Sequence, residues 1–253
     1  MDIQRNYYGR LCTEMYEILH EKAPQDELDF YLSYARKGQR ILEALCGSGR
    51  FFVPFLKRRF DIKGVDNSPE MLEKLKLKAP CADVRLADIE RYHPDERFDY
   101  VFISSGSVSL FTDMRQCKQV LKTIHDWLNS GGKFVFAVDT IANRREDDAD
   151  YKVSVSVKTA DGYDLSLKTK NRYDGHTHTL YSPGIYELHN CGQLLQRELM
   201  DFQTHLYELD EMEAMLQEAG FSSVSVYSSF DKKIATDNNT EFFLYECNRQ
   251  EQQ

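Results

Sequence analysis

A short apolar strand, Arg40 to Leu45, runs into the turn Gly47-Ser48-Gly49 and straight on into a helical segment, Arg50 to Arg59. A strand that reverses through two glycines into a helix makes one half of a strand–helix–strand unit, and the next half follows at once. Phe60 to Val65 is again apolar. Ser68 then caps a helix that starts Pro69-Glu70 and carries Met71, Leu72 and Leu75 on one face. Val84 to Leu86 and Phe98 to Ser104 read as further strands. Asp113 to Leu128 reads as a helix with the stripe Cys117, Val120, Leu121, Ile124, Trp127 and Leu128. Gly131-Gly132 leads into the strand Lys133 to Asp139. Strands alternating with helices predict a parallel sheet in a doubly wound α/β fold. Ahead of it, residues 1 to 37 predict two amphipathic helices separated by Pro24 and closed by Gly38.

The period changes near residue 150. Tyr151, Val153, Val155 and Val157 alternate with Lys152, Ser154, Ser156 and Lys158, and Asp161-Gly162 and Asp174-Gly175 are hairpin signals. Residues 150–205 are therefore expected to be an antiparallel β-meander inserted into an α/β domain made of residues 1–149 and 206–253. The helical pattern returns in LDEMEAMLQEAGF, with Gly220 at its end, and the strands Ser223 to Tyr227 and Glu241 to Cys247 close the chain.

The Gly47-Ser48-Gly49 turn gathers backbone N–H groups and a helix N-terminus around one small volume. A dinucleotide fingerprint would put a third glycine at Phe52, and neither that nor a Walker lysine is present. Carboxylates narrow the ligand. Asp66, at the end of the second strand, is placed to accept both ribose hydroxyls. Asp88 can reach an adenine amino group while Ile89 packs on the ring. Glu43 adds negative charge where a phosphate would be repelled and a cation favoured. An adenosine with no phosphate and a positive charge is S-adenosylmethionine (SAM).

ILEALCGSGR, GVDNSPEML, LADIE, FDYVFISSGSVSLF, LNSGGKFVFAV and LQEAGF resemble, in order, the motifs of class I SAM-dependent methyltransferases. That resemblance implies a Rossmann-like, seven-stranded, mostly parallel sheet with a reversed final hairpin, and N-terminal helices that cover the cofactor. The inserted meander is similar to that of the small-molecule branch, which includes the sugar N,N-dimethyltransferases, where it acts as a substrate lid. It further implies that Glu43, Cys46, Gly47, Gly49 and Arg50 line the methionine end. Asp66 and Asn67 would hold the ribose, Met71 would lie below the adenine, and Asp88 and Ile89 would bind it. Ser104 and Ser105 would lie under the sulfonium, and Tyr7, Tyr8 and Arg10 would close over SAM.

Methyl transfer needs an aligned nucleophile and little covalent help, so candidate catalytic groups are few. Tyr8 is one. His176 and His178, placed on one face of a meander strand, are the others, as a general base at the SAM mouth or as a polar outer face. Two histidines without a third ligand make no metal site, and the six cysteines show no CxxC spacing, so no metal is expected. Tyr173, Tyr181 and Tyr186 are either packing residues or the wall of an acceptor pocket.

The charge of −9, from 32 basic and 41 acidic residues, disfavours nucleic acid. No apolar run approaches the ~20 residues of a membrane span, and MDIQRNYYGR lacks a secretory core, so a cytoplasmic location is expected. The resulting expectation is a SAM-dependent methyltransferase acting on N or O of a small molecule. An RNA or protein methyltransferase and a non-catalytic SAM-binding module are the alternatives. A homodimer through the meander edge follows from edge-strand logic alone.

Overall fold

The computed structural model describes residues 5–250; the first four residues of the expected N-terminal cap and the last three of the chain lie outside them. The elements are α1 (Arg10–Leu19), α2 (Gln25–Leu32), β1 (Arg40–Ala44), α3 (Phe52–Lys57), β2 (Asp61–Asp66), α4 (Pro69–Lys78), β3 (Asp83–Leu86), β4 (Phe98–Ile103), α5 (Met114–Trp127) and β5 (Leu128–Asp139). They continue with β6 (Lys152–Lys158), β7 (Asp164–Thr169), β8 (Arg172–Asp174), β9 (Thr179–Tyr181), β10 (Gly184–Asn190), β11 (Gln193–Met200) and β12 (Gln203–His205). The chain closes with α6 (Glu211–Ala219), β13 (Phe221–Tyr227) and β14 (Phe242–Arg249).

The main sheet has seven strands in the order β13-β14-β5-β4-β1-β2-β3. β14 runs antiparallel to both β5 and β13, and the remaining neighbours are parallel. This is the doubly wound α/β sheet with a reversed last hairpin. Both faces are buried, which explains why β5 reads as an uninterrupted apolar run. Its Phe134, Phe136 and Val138 join a core with α5 and α6. Its Val135 and Ala137 face the other way, into a core with Tyr31 of α2, Phe52 and Phe55 of α3, and Leu75 of α4.

Two boundaries differ from expectation for local reasons. α3 starts at Phe52, because Gly49 sits at φ +84° and keeps the chain in the turn. β5 begins at Leu128, and Gly131-Gly132 lies inside it: Gly131 has φ +73°, and a Cβ at Gly132 would stand 2.9 Å from the Asn129 carbonyl oxygen. The glycines therefore permit an irregular strand where the sequence suggested a turn.

The insert is two antiparallel sheets, not a single meander: β11-β10-β7-β6 and β12-β9-β8. α1 belongs to neither face of the main sheet. Its Leu11, Cys12 and Met15 pack on Leu165, Tyr186 and Met200 of the insert. The sequence at the start of α1 offers only Gly9 as a cap, and the insert supplies the missing acceptor. Both oxygens of Glu198 on β11 accept from α1, from the Leu11 N–H at 2.9 Å and the Cys12 N–H at 3.1 Å. A Cβ on Gly9 would lie 2.8 Å from that carboxylate. A charged acceptor at a helix N-terminus is worth about 1–2 kcal/mol. Glu198→Ala is therefore expected to lower the thermal midpoint by about 3–6 °C, and Glu198→Gln by less than half of that. An unchanged midpoint in differential scanning calorimetry would show that the cap is not formed.

Candidate active site

The site begins at the carboxyl end of β1. Leu45, Gly47 and Gly49 all have positive φ, at +58°, +51° and +84°. Two glycines accept this without strain, and Leu45 tolerates it at a cost of about 1–2 kcal/mol. Asp66, at the end of β2, fixes the turn from the side. Its Oδ2 accepts from the Gly47 N–H at 2.8 Å and its Oδ1 from the Ser68 N–H at 2.9 Å. Burial pushes this carboxyl up, and those N–H donors pull it back down. Ser68 also caps α4 through Met71 and donates its hydroxyl to the Tyr8 carbonyl at 2.7 Å, while the Tyr7 hydroxyl donates to Glu70 at 2.8 Å. The N-terminal segment is thereby tied over the start of α4.

A cavity of about 600 Å³ opens here. Asp66, Asn67, Met71, Asp88 and Ile89 line one part of it, and Gly47, Arg50, Ser105 and Tyr8 another. Nine of the residues that the sequence marks as cofactor contacts are thus brought together. Six are not on its wall. Arg10 is exposed at the first position of α1, and Tyr7, near it in sequence, is bonded to Glu70. Cys46 is buried beneath the turn, where a Cβ on Gly64 would meet its Sγ at 2.8 Å. Gly49 abuts Leu75 and Val53, so its role is to let α3 and α4 pack. Glu43 and Ser104 sit behind the wall, where the Ser104 hydroxyl donates to Glu43 Oε1 at 3.1 Å.

Glu43 is 1% exposed, and its second oxygen has no partner among the described residues. Burial pushes its carboxyl far above the ordinary range, opposed by the Ser104 hydroxyl and the Arg50 charge. Arg50 in turn donates to Ser105, and Glu27 of α2 accepts from the Ser105 N–H at 3.0 Å. The guanidinium lies 5.1 Å from the Phe51 ring centroid and 5.7 Å from that of Tyr16. Glu27, Tyr16 and His20 are site residues that no motif announces. Glu27 carries a faint signal, a carboxylate at the i−4 position from Tyr31 on the buried face of α2.

A second cavity, about 540 Å³, shares Tyr8, Tyr16 and His20 with the first. The insert builds most of its wall, including Leu167, Leu180, Tyr186 and Phe202. Tyr173 and Tyr181 are not on that wall. Asp139, at the end of β5, is, and it carries the same signal as Asp66: a carboxylate closing an apolar strand. Its carboxylate makes no hydrogen bond among the described residues, and burial pushes it up to about 6. It lies against the loop after β4, where Gly106 at φ +70° leaves room that a Cβ would take 3.0 Å from Asp139 Oδ1. Burial likewise pushes the Tyr8 phenol far up, so it is a neutral donor at physiological pH.

The two candidate catalytic histidines are elsewhere. Both fall in the turn between β8 and β9, not on a strand face; His176 is exposed, and neither lines a cavity described above. Their spacing of two misleads because the hairpin signal Asp174-Gly175 opens a turn that runs through both of them. No helix among the described residues is long and apolar enough to cross a membrane.

SAM fits these residues. Gly47 faces open space, where an added Cβ would find only Met71 Sδ, at 4.0 Å, so a ligand can lie against the turn's backbone. Residues 41–132 match the family described as "Methyltransferase domain". A protein of Geobacillus sp. (strain WCH70), named as a putative methyltransferase, is 24% identical over 250 residues, which is 90% of this chain and 95% of its own. A SAM-dependent methyltransferase from Clostridium acetobutylicum superposes with a TM-score of 0.75 at 16% identity, covering 93% of this chain and 96% of its own. The sugar N-methyltransferase KedS8 from Streptoalloteichus does so with a TM-score of 0.74 at 17% identity, covering 99% and 96%. At these identities the two superpositions speak for the fold. With the glycine turn, the paired strand-end carboxylates and the matched domain, the chain is a SAM-dependent methyltransferase with a Rossmann-like fold, and SAM is its methyl donor.

Proposed function

We propose that this enzyme methylates an amine nitrogen of a small molecule held in the second cavity. The observation that carries the proposal is Asp139, an unpaired carboxylate on the wall of a cavity that adjoins the cofactor's. An unpaired carboxylate at low dielectric attracts an ammonium group far more than a neutral hydroxyl. Its value of about 6 also suits a group that accepts a proton near neutral pH. The fold likeness to a sugar N-methyltransferase supports the same acceptor class.

SAM, when bound, supplies an electrophilic methyl group on a sulfonium. The chain's residues do the rest. Asp66, Asn67, Met71, Asp88 and Ile89 hold the nucleoside. Arg50, braced by Ser105 and Glu27, would hold the methionine carboxylate. Asp139 binds the acceptor ammonium and takes its proton, which frees the nitrogen lone pair. Tyr8 stands between the two cavities as a neutral hydrogen-bond donor. The insert acts as the lid: Leu167, Leu180, Tyr186 and Phe202 exclude water from the acceptor.

The test is methyl transfer from labelled SAM to a panel of small amines, their matched alcohols, bulk tRNA and unrelated proteins. Label is expected on amines, with the matched alcohols at least about 100-fold poorer in kcat/KM. Label confined to alcohols, tRNA or protein would overturn the proposal.

A further inference from the structure

Three metal-ligating side chains, none of them on the wall of either cavity, converge where the insert meets α6. His178 comes from the β8–β9 turn, His205 from the end of β12, and Glu211 from the first position of α6. One donor atom from each lies within 4.8 Å of the others, and no second cluster of this kind occurs among the described residues. No motif marks the cluster in the sequence: His178 is far from His205 and Glu211 in the chain, and its neighbour at short spacing, His176, is not a member.

The local structure holds the donors there. The Leu206 N–H donates to the His178 carbonyl at 2.8 Å, which fixes the turn beside β12. His205 is 4% exposed; its ring packs edge-on against Tyr207 at 4.5 Å, and its Nε2 lies 2.7 Å from Glu211 Oε1. The other oxygen of Glu211 accepts from the Glu208 N–H at 3.2 Å, which orients the carboxylate. The His178 and His205 ring centroids are 6.1 Å apart. A second, independent observation is His205 Nδ1, which is buried and has no hydrogen-bond partner among the described residues. A buried imidazole needs partners for both nitrogens, and an ion pair with Glu211 provides for one alone.

We propose that His178, His205 and Glu211 bind a divalent transition-metal ion, zinc in the first instance, as a clip between the insert and the methyltransferase domain. Two imidazoles and one carboxylate are a zinc donor set. Metal–donor lengths of about 2 Å place tetrahedral donors about 3.3 Å apart. The donors, at most 4.8 Å apart, would close toward that spacing around a bound ion. A water completes the fourth position. The clip is structural, but it is next to the acceptor cavity: Thr204 and Leu206, flanking His205, both line that cavity. A bound ion therefore fixes the wall on which they sit.

The experiment is zinc titration by calorimetry on the tag-free, chelator-stripped full chain, with cobalt(II) absorption as a second readout. One site per chain is expected at micromolar affinity or tighter, with the visible bands of tetrahedral cobalt. His178→Ala, in a half-buried turn, is expected to weaken binding about 100-fold, and Glu211→Gln about 10- to 100-fold while the chain stays folded. Substitution of the exposed His93 should change nothing. Absence of stoichiometric binding overturns the proposal and leaves a histidine–carboxylate pair only. Zinc affinity that survives both His178→Ala and Glu211→Gln, or that falls as much with His93→Ala, also overturns it.

Discussion

Asp139→Asn is expected to lower kcat/KM for an amine acceptor by about 10²- to 10³-fold while SAM affinity stays within about twofold. The amide keeps the shape and one acceptor oxygen, but it removes both the negative charge and the proton acceptor. Asp139 lines the acceptor cavity and not the cofactor cavity, so the loss falls on one substrate. The pH profile sharpens the test. The active form is the carboxylate, so wild-type activity should rise with pH through about 6, the value to which burial pushes this group. The limb should vanish in the variant. Stability should move the other way. A carboxyl whose folded value lies above its unfolded value of about 4 binds its proton more tightly in the native state. Wild-type stability should therefore decline as pH rises from about 4 to about 6, and the variant, which has no charge to bury, should be more stable at pH 7.5. The gain is at most about 3 kcal/mol. Full activity in Asp139→Asn, or a limb at pH 6 that persists, would remove Asp139 from the chemistry.

Asp66→Ala is expected to weaken SAM binding by at least about 100-fold, on the order of 3 kcal/mol. The carboxylate accepts from the backbone on both sides of the site, at Gly47 and at Ser68. Its loss frees the glycine turn from α4 and removes the proposed ribose acceptor at the same time. Asp66→Asn keeps one acceptor oxygen and should lose only about tenfold. Asp88 is exposed and its carboxylate accepts only from the nearby Glu90 N–H among the described residues, so its replacement by alanine should cost less than that of Asp66. Isothermal titration with SAM and S-adenosylhomocysteine separates these cases. Wild-type affinity in Asp66→Ala would show that the turn is held by something else.

The cofactor half of the site is legible in the sequence because its signals are local. A strand end, a glycine turn and a carboxylate at the end of the next strand are each set by a few neighbouring residues, and the parallel sheet lines their carboxyl ends up on one edge. Asp139 obeys the same rule, but no motif surrounds it to mark it out. The acceptor half is illegible for a different reason. Which strands of the insert pair, and so which face of each lines a cavity, depends on contacts between distant residues. Glu198 capping α1 and Asn6, whose side chain bridges the Leu110 and Gln203 carbonyls, are contacts of that type. So is the meeting of His178, His205 and Glu211.

By itself, then, the order of residues determined the doubly wound sheet, the glycine turn and the class of methyl donor, because apolar periodicity and backbone conformation are local properties. Only the tertiary structure decided that the insert forms two sheets, that α1 rides on the insert, and that Asp139 lines the second cavity. Those outcomes rest on side chains far apart in the chain, whose meeting is fixed only when the whole core closes around them.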